Sequence, residues 1–172
     1  MDGARLANAA AYLGCTLAEL AEHADVLSFG ATKNGAMGAE ALIVMRSGLG
    51  ADVPYLRKQQ TQLTSKMRFV AAQFSALLQD DLWRANAAHA NAMARRLAEG
   101  TEAVDGVEIV YPVQANAVFA RLRPRHIAAL QRHDWTFHVW DEGENVVRWM
   151  TAFDTTEADV DAFLADIRST AR

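Results

Sequence analysis

The chain has 172 residues, of which 51% are apolar and 22% are charged, and its mean hydropathy is -0.05. This composition is ordinary for one globular domain or a small pair, and no apolar run approaches the roughly 18 residues of a membrane span. A net charge of -4 argues against nucleic-acid binding, which needs a clustered basic face. The single cysteine, Cys15, excludes an internal disulfide and a cysteine-based zinc site. We therefore expect a cytoplasmic protein without a nucleic-acid or membrane partner.

Helical and strand patterns alternate along the chain. Helices are indicated by apolar residues that recur every three or four positions, and strands by short apolar runs or by strict alternation. The pattern predicts helices over residues 4–13 and 16–23, strands over 26–29 and 39–45, helices over 61–79 and 82–99, strands over 107–113 and 116–122, a helix over 124–133, a hairpin with strands over 136–140 and 145–151, and a final helix after Thr156. The expected fold class is therefore α/β.

Several residues mark the expected helix ends. Thr156 and Asp159 have the spacing of a capping box, and Pro124 stands at the first position of its helix. Gly100 is expected to end the preceding long helix, because glycine suits the left-handed position that follows a helix. The composition changes after a Gly-containing connection, so we place a boundary between two structural units near residues 55–62.

Lys33 follows the first predicted strand and is flanked by small residues. A strand that ends between Gly30 and Gly35 would place this lysine inside the protein. Burying an unpaired ammonium is costly, which favours a neutral, nucleophilic amine. Such an amine can form a Schiff base with an aldehyde cofactor. Alternatively, Lys33 extends into solvent from an ordinary loop.

Arg148 is the second candidate for chemistry. The alternation of its predicted strand places it on the same face as Val146 and Met150, so a guanidinium interrupts an apolar face. Arginine in such a position suits bidentate binding of a carboxylate. Alternatively, Arg148 lies on an edge strand and reaches solvent.

Two further charged pairs are candidates. Asp2 and Arg5 stand at the entrance of the first helix, where the helix dipole favours a carboxylate. Lys58 and Arg68 flank a polar loop that runs into a helix, a setting in which a phosphate can meet helix amides and basic side chains. Taken alone, each pair is typical of a solvated face. None of the five histidines has a metal-binding spacing, so no metal is expected.

Taken together, four segments resemble the low-specificity L-threonine aldolases. They are DGAR at residues 2–5, SFGATKNGA at 28–36, KMRF at 66–69 and VVRWMTAFDTT at 146–156. These enzymes, which are similar to the β-eliminating lyases, depend on pyridoxal 5'-phosphate and have the aspartate aminotransferase fold, fold type I. The resemblance covers essentially the whole chain but only the C-terminal part of the family's length.

The resemblance implies a domain organisation for the chain. Residues 1–60 would be the end of the large cofactor-binding domain, a mostly parallel sheet with helices. Residues 61–172 would be connecting helices and the small C-terminal α/β domain. The family's phosphate-binding Gly-Thr turn and its functional histidines lie upstream of the matching segments, so we expect the isolated chain to be incomplete. The complete protein is expected to be a homodimer or homotetramer.

The resemblance also implies roles around the cofactor ring. Lys33 would be the catalytic lysine that binds the cofactor covalently, and Asp2 would pair with the pyridine nitrogen. Arg5 would lie beside the ring and its bound amino acid. Lys58 and Arg68 would lie near the cofactor phosphate.

The implied reaction is the cleavage of L-threonine, L-allo-threonine and other β-hydroxy-α-amino acids to glycine and an aldehyde. Arg148 would hold the carboxylate of the substrate. Two alternatives remain open: a non-catalytic remnant or assembly domain of such an enzyme, and a related pyridoxal-phosphate lyase such as a phenylserine aldolase.

Overall fold

The computed structural model describes residues 1–133 and 135–171. The chain divides into two compact units, Met1–Asn86 and Ala87–Arg172. The assignment of residues 1–60 and 61–172 to the large and small domains of the family stays a prediction. Across the described residues, no helix combines the length and apolar composition needed to cross a membrane.

The first unit consists of helices and one pair of hydrogen-bonded strands. Its elements are α1 (Leu6–Leu13), α2 (Leu17–Ala21), β1 (Val26–Gly30), β2 (Glu40–Val44), α3 (Val53–Gln59), α4 (Met67–Leu78) and the beginning of α5 (Leu82–Thr101). A small core joins α1, α2 and β1 through the buried side chains Leu6, Ala21, Leu27 and Phe29. The ring of Phe29 also contacts that of Phe74 on α4, with centroids 5.7 Å apart.

The strand pair β1–β2 is antiparallel. Only nine residues separate Gly30 from Glu40, fewer than the dozen or more that a parallel crossover needs. Among the described residues, the expected parallel pairing is represented by one bridge, between Asp2 and Ser28. The apolar side chains of β2 are less buried than a continuous apolar run suggests, with Leu42 56% and Ile43 40% exposed.

Two helix boundaries in the first unit differ from the prediction. α3 was predicted as part of a connection, although Pro54 lies in its first turn, where the missing N–H of proline costs no hydrogen bond. α4 begins at Met67 rather than at residue 61, because residues 60–61 and 65–66 form turns, and Thr61 has a positive φ of 58°. Leu63 continues the apolar spacing four residues before Met67, but it is 53% exposed and lies outside the helix.

The second unit is a four-stranded antiparallel sheet covered by helices. Its elements are the rest of α5, β3 (Val107–Ile109), β4 (Ala117–Leu122), α6 (Pro124–Arg132), β5 (His138–Asp141), β6 (Val146–Met150) and α7 (Glu157–Thr170). The strand order is β3-β4-β6-β5, so β4 and β6 are interior strands. Side chains from one sheet face, among them Val118, Val147 and Trp149, are buried with side chains of α5, α6 and α7.

The last helix has the predicted cap and a buried stripe. The hydroxyl of Thr156 accepts the N–H of Asp159, whose carboxylate accepts the N–H of Thr156, which is the predicted capping box. The buried residues of α7 recur at helical spacing and are Val160, Phe163, Leu164 and Ile167. Each such side chain contributes about 1.5–3 kcal/mol when fully buried.

Gly100 has a different role from the predicted one. It lies inside α5, which continues to Thr101, and not after the end of that helix. A Cβ atom at this position would overlap the side chain of Leu164 on α7. Glycine is therefore required by the close approach of two helices, which no local pattern around residue 100 reveals.

We expect the second unit to lose stability as the pH falls through the range in which histidine titrates. His126 is 2% exposed, and its Nε2 lies 2.9 Å from the carbonyl oxygen of Ile167. Burial lowers the pKa of His126 below its ordinary value of 6.5, against the raising effect of the Ile167 hydrogen bond. The folded state thus binds this proton less readily than the unfolded state, so the stabilisation is present above pH 6.5 and is lost below it.

The measurement is thermal unfolding between about pH 7.5 and pH 5, where histidine titrates. The unfolding temperature should fall less in His126→Gln than in the parent chain, because glutamine keeps a donor for Ile167 but does not titrate. His23→Gln is the control, since His23 is exposed. Equal pH dependence in His126→Gln and the parent chain would contradict the assignment.

Candidate active site

The first three residues lie against β1. The N–H of Gly3 donates to the carbonyl of Ser28 over 2.7 Å, and the N–H of Ser28 donates to the carbonyl of Met1 over 3.0 Å. A Cβ on Gly3 would lie 2.6 Å from Cδ1 of Leu27, so only glycine allows this approach. The N-terminal segment and β1 run parallel. The residues that follow Gly3 and the residues that follow β1 therefore lie at the same end of the pair.

Asp2 and Arg5 stand where the first segment turns into α1. Asp2 is exposed, and its carboxylate accepts the backbone N–H of Ala4 over 3.0 Å. The expected position at the helix entrance is wrong, because α1 begins at Leu6 with Arg5 as its N-cap, and this bond closes the turn that precedes the helix. Arg5 is the half-buried residue that immediately precedes α1.

Lys33 lies in a short 3-10 turn, Thr32–Asn34, that follows β1. The expectation that Lys33 lies inside the protein is wrong for this chain, because its side chain is exposed. The turn directs the next residue, Asn34, into the buried position, where it is 4% exposed. The primary amine is therefore accessible to solvent and to a reactant.

Asn34 holds the lysine turn in place. Its Nδ2 donates to the backbone carbonyl of Trp83 over 3.0 Å, and its backbone carbonyl accepts a hydrogen bond from Nδ2 of Asn86 over 2.9 Å. At the start of the turn, Oγ1 of Thr32 donates to Oε1 of Glu40 over 3.0 Å. Asn34 is not among the sequence-predicted site residues, although an amide between a lysine and a glycine was the available signal. Gly35, which follows it, has a φ of 113°.

Lys58 and Arg68 lie on two different helices of the first unit. Lys58 is in the last turn of α3, and Arg68 is in the first turn of α4, where its guanidinium lies 5.0 Å from the ring centroid of Phe69. Both side chains are exposed. The polar connection predicted between them is present, although α3 makes it shorter than expected.

Arg148 belongs to the second unit and lies on β6, an interior strand. Val147 and Trp149 face the helices, so Arg148 points to the opposite face, as the alternation predicted. The alternative of an edge-strand arginine in solvent is wrong, because Arg148 is half-buried between β4 and β5. Its Nε is buried and has no hydrogen-bond acceptor in the described part of the chain.

Residues 1–124 match the beta-eliminating lyase family. The chain belongs to this family. It is 44% identical over 171 residues to a low specificity L-threonine aldolase of a Pseudomonas species and 46% identical over 170 residues to the Pseudomonas aeruginosa protein of the same name. Each alignment covers 98% of this chain and 49% of the relative. The chain thus spans about half the length of these relatives.

A solved structure supports the same family fold. The threonine aldolase of Leishmania major superposes with a TM-score of 0.88 at 32% identity, over 99% of this chain and 51% of that one. The resemblance to threonine aldolases and the α/β fold of the fold type I enzymes are therefore confirmed. The roles of the individual site residues stay predictions.

We expect Asn34→Ala to destabilise the chain. The substitution removes a buried donor and leaves the Trp83 carbonyl without it, at a cost of about 1–3 kcal/mol in the free energy of unfolding. Urea denaturation of the 172-residue chain measures this change. The neighbouring substitution Lys33→Ala is the matched control and should change stability by no more than about 0.5 kcal/mol, because Lys33 is exposed. Equal effects of the two substitutions would contradict the anchoring role of Asn34.

Proposed function

We propose that this chain is the C-terminal portion of a pyridoxal 5'-phosphate-dependent threonine aldolase. The reaction is the cleavage of L-threonine, L-allo-threonine and other β-hydroxy-α-amino acids to glycine and an aldehyde. The observation that carries the proposal is the pairing of the DGAR segment with β1, which brings two chemically different groups to the same end of two parallel segments. Ligands of α/β proteins bind at such strand ends.

The residues present fit the cofactor. Lys33 offers an accessible primary amine for the aldehyde, and Asp2 offers a carboxylate for the pyridine nitrogen. Lys58 and Arg68 offer exposed cationic groups for the phosphate, with Arg68 in the first turn of α4. Arg5 precedes α1 at the end of the same segment as Asp2 and is assigned to the ring and the amino acid bound to it.

Each residue has a distinct chemical task in the proposal. The cofactor supplies an electron sink for the electron pair of the broken Cα–Cβ bond. The carboxylate of Asp2 would pair with the protonated pyridine nitrogen. Nζ of Lys33 would be the amine that binds the aldehyde of the cofactor.

Arg148 is assigned to the carboxylate of the substrate. Its Nε is buried without an acceptor among the described residues, and a carboxylate is the acceptor that a guanidinium binds with two parallel hydrogen bonds. Fixing the carboxylate restricts the orientation of the amino acid and so selects which bond at Cα is broken.

We also propose that the complete protein is a cytoplasmic homodimer or homotetramer. The exposed side chains of Leu42 and Ile43, which point to opposite faces of β2, support further covering surfaces, because exposed apolar groups on a sheet mark contact sites. Such a surface is covered either by more of the same chain or by another subunit.

Covalent labelling tests the central role. The complete gene product containing these residues is incubated with pyridoxal phosphate, reduced with borohydride and mapped by peptide mass spectrometry. The label should lie on Lys33 and not on Lys58 or Lys66, the other lysines of the sequence. Lys33→Ala should lower threonine cleavage by at least about a hundredfold, whereas Lys66→Ala, the control, should leave it unchanged.

Two results would overturn the proposal. Labelling at Lys58 or Lys66 with none at Lys33 would show that Lys33 is not the catalytic lysine. A complete gene product that starts at Met1 and neither binds the cofactor nor cleaves threonine would favour a non-catalytic remnant.

A further inference from the structure

The outward face of the second-unit sheet carries a set of aromatic side chains around Arg148. Phe119 on β4 and His138 on β5 are the cross-strand neighbours of Arg148, one on each side. Between Val139 and Asp141 the register shifts, which marks a β-bulge at Trp140. A bulge inserts one extra residue and re-aims its side chain.

Trp140 lies over the guanidinium. Cζ of Arg148 is 5.1 Å from the indole centroid, within the distance of a cation–π contact. The indole packs edge to face on Phe119, with centroids 5.2 Å apart and planes at 78°, and His138 lies on another side at 6.1 Å. Two neighbours thus fix the orientation of the indole, although Trp140 is 50% exposed.

We propose that Trp140 is a positioning residue for the carboxylate-binding guanidinium of Arg148, an inference that rests on the proposed function. A long arginine side chain has many rotamers, and ordering it on binding weakens affinity. An aromatic ring against the guanidinium face restricts those rotamers before the ligand arrives. A guanidinium can pack on an aromatic ring and still bind a carboxylate along its edge, so the two contacts are compatible.

The direct readout is the Nε–Hε signal of Arg148 in the 172-residue chain, measured by NMR without cofactor. The signal is assigned by its loss in Arg148→Lys. The ring current of Trp140 should shift it upfield, so Trp140→Leu should move it downfield. Tyr111→Leu is the matched control, because Tyr111 is an exposed aromatic residue that packs on Phe119. It should leave the signal close to its parent position.

Kinetics of the complete, cofactor-loaded gene product give the second readout. Trp140→Leu should raise the KM for threonine by about threefold to tenfold, the effect of one lost cation–π contact, and change kcat less. Trp140→Phe keeps an aromatic face and should stay within about twofold of the parent KM. Tyr111→Leu should leave both constants unchanged. Far-UV circular dichroism checks that each variant is folded.

The outcomes separate this inference from the proposed function. If Arg148→Lys raises KM steeply but Trp140→Leu leaves KM and the Arg148 signal unchanged, the positioning role is overturned and the proposed function stands. If Trp140→Leu raises KM as much in the Arg148→Lys background as in the parent, Trp140 does not act through Arg148 and the inference also fails. If Arg148→Lys leaves KM unchanged, the assignment of Arg148 in the proposed function fails, and the positioning role fails with it.

Discussion

The hydrogen bond between the N–H of Gly3 and the carbonyl of Ser28 sets the arrangement of the first unit. It pairs the N-terminal segment with β1 in parallel, and the absence of a side chain on Gly3 allows the 2.7 Å contact. Parallel pairing makes both segments end at the same side. As a result, the backbone pairing brings Asp2 and Arg5 on one segment and Lys33 beyond the other to the same end.

The lysine turn shows how an exposed reactive group can still be well positioned. Lys33 itself is exposed, and its placement comes from its neighbours, since Asn34 is bonded to the start of α5 and Thr32 to β2. A lysine on such a turn retains access to a reactant while the backbone beneath it stays fixed. The amine thus belongs to Lys33, whereas the hydrogen bonds that fix the turn belong to its neighbours Thr32 and Asn34.

Arg148 is positioned by a different principle, the layering of the second unit. Helices cover one face of the sheet, so every second side chain of the interior strand β6 points into the core. The residues between them face the other way, where Arg148 lies near the ring of Trp140 and its Nε is buried. This Nε has no acceptor among the described residues, which favours binding of an anion by the guanidinium.

The sequence predicted those features that depend on local pattern or on motif. Alternation identified the face of Arg148, the capping box located the start of α7, and four short segments identified the family. Helix α3 was not predicted, although Pro54 gives the same helix-start signal that located α6 at Pro124. Proline is also common in turns, and only the surrounding contacts decide between the two.

The remaining differences depend on contacts between residues distant in sequence. Gly100 is set by Leu164, a residue 64 positions later, and the bulge at Trp140 appears only when β5 is paired with β6. The prediction that Lys33 is buried rests on its place in a tight loop, between Gly30 and Gly35, that follows a buried apolar strand. Its exposure follows from the turn that directs Asn34 inward.

A crystal structure of the complete gene product with pyridoxal phosphate and glycine is the most direct test of these assignments. We expect continuous density between Nζ of Lys33 and the cofactor in the glycine-free crystal. In the glycine complex we expect the carboxylate within hydrogen-bond distance of the Arg148 guanidinium. A cofactor bound through another lysine, or a carboxylate held without Arg148, would contradict the assignment of these residues.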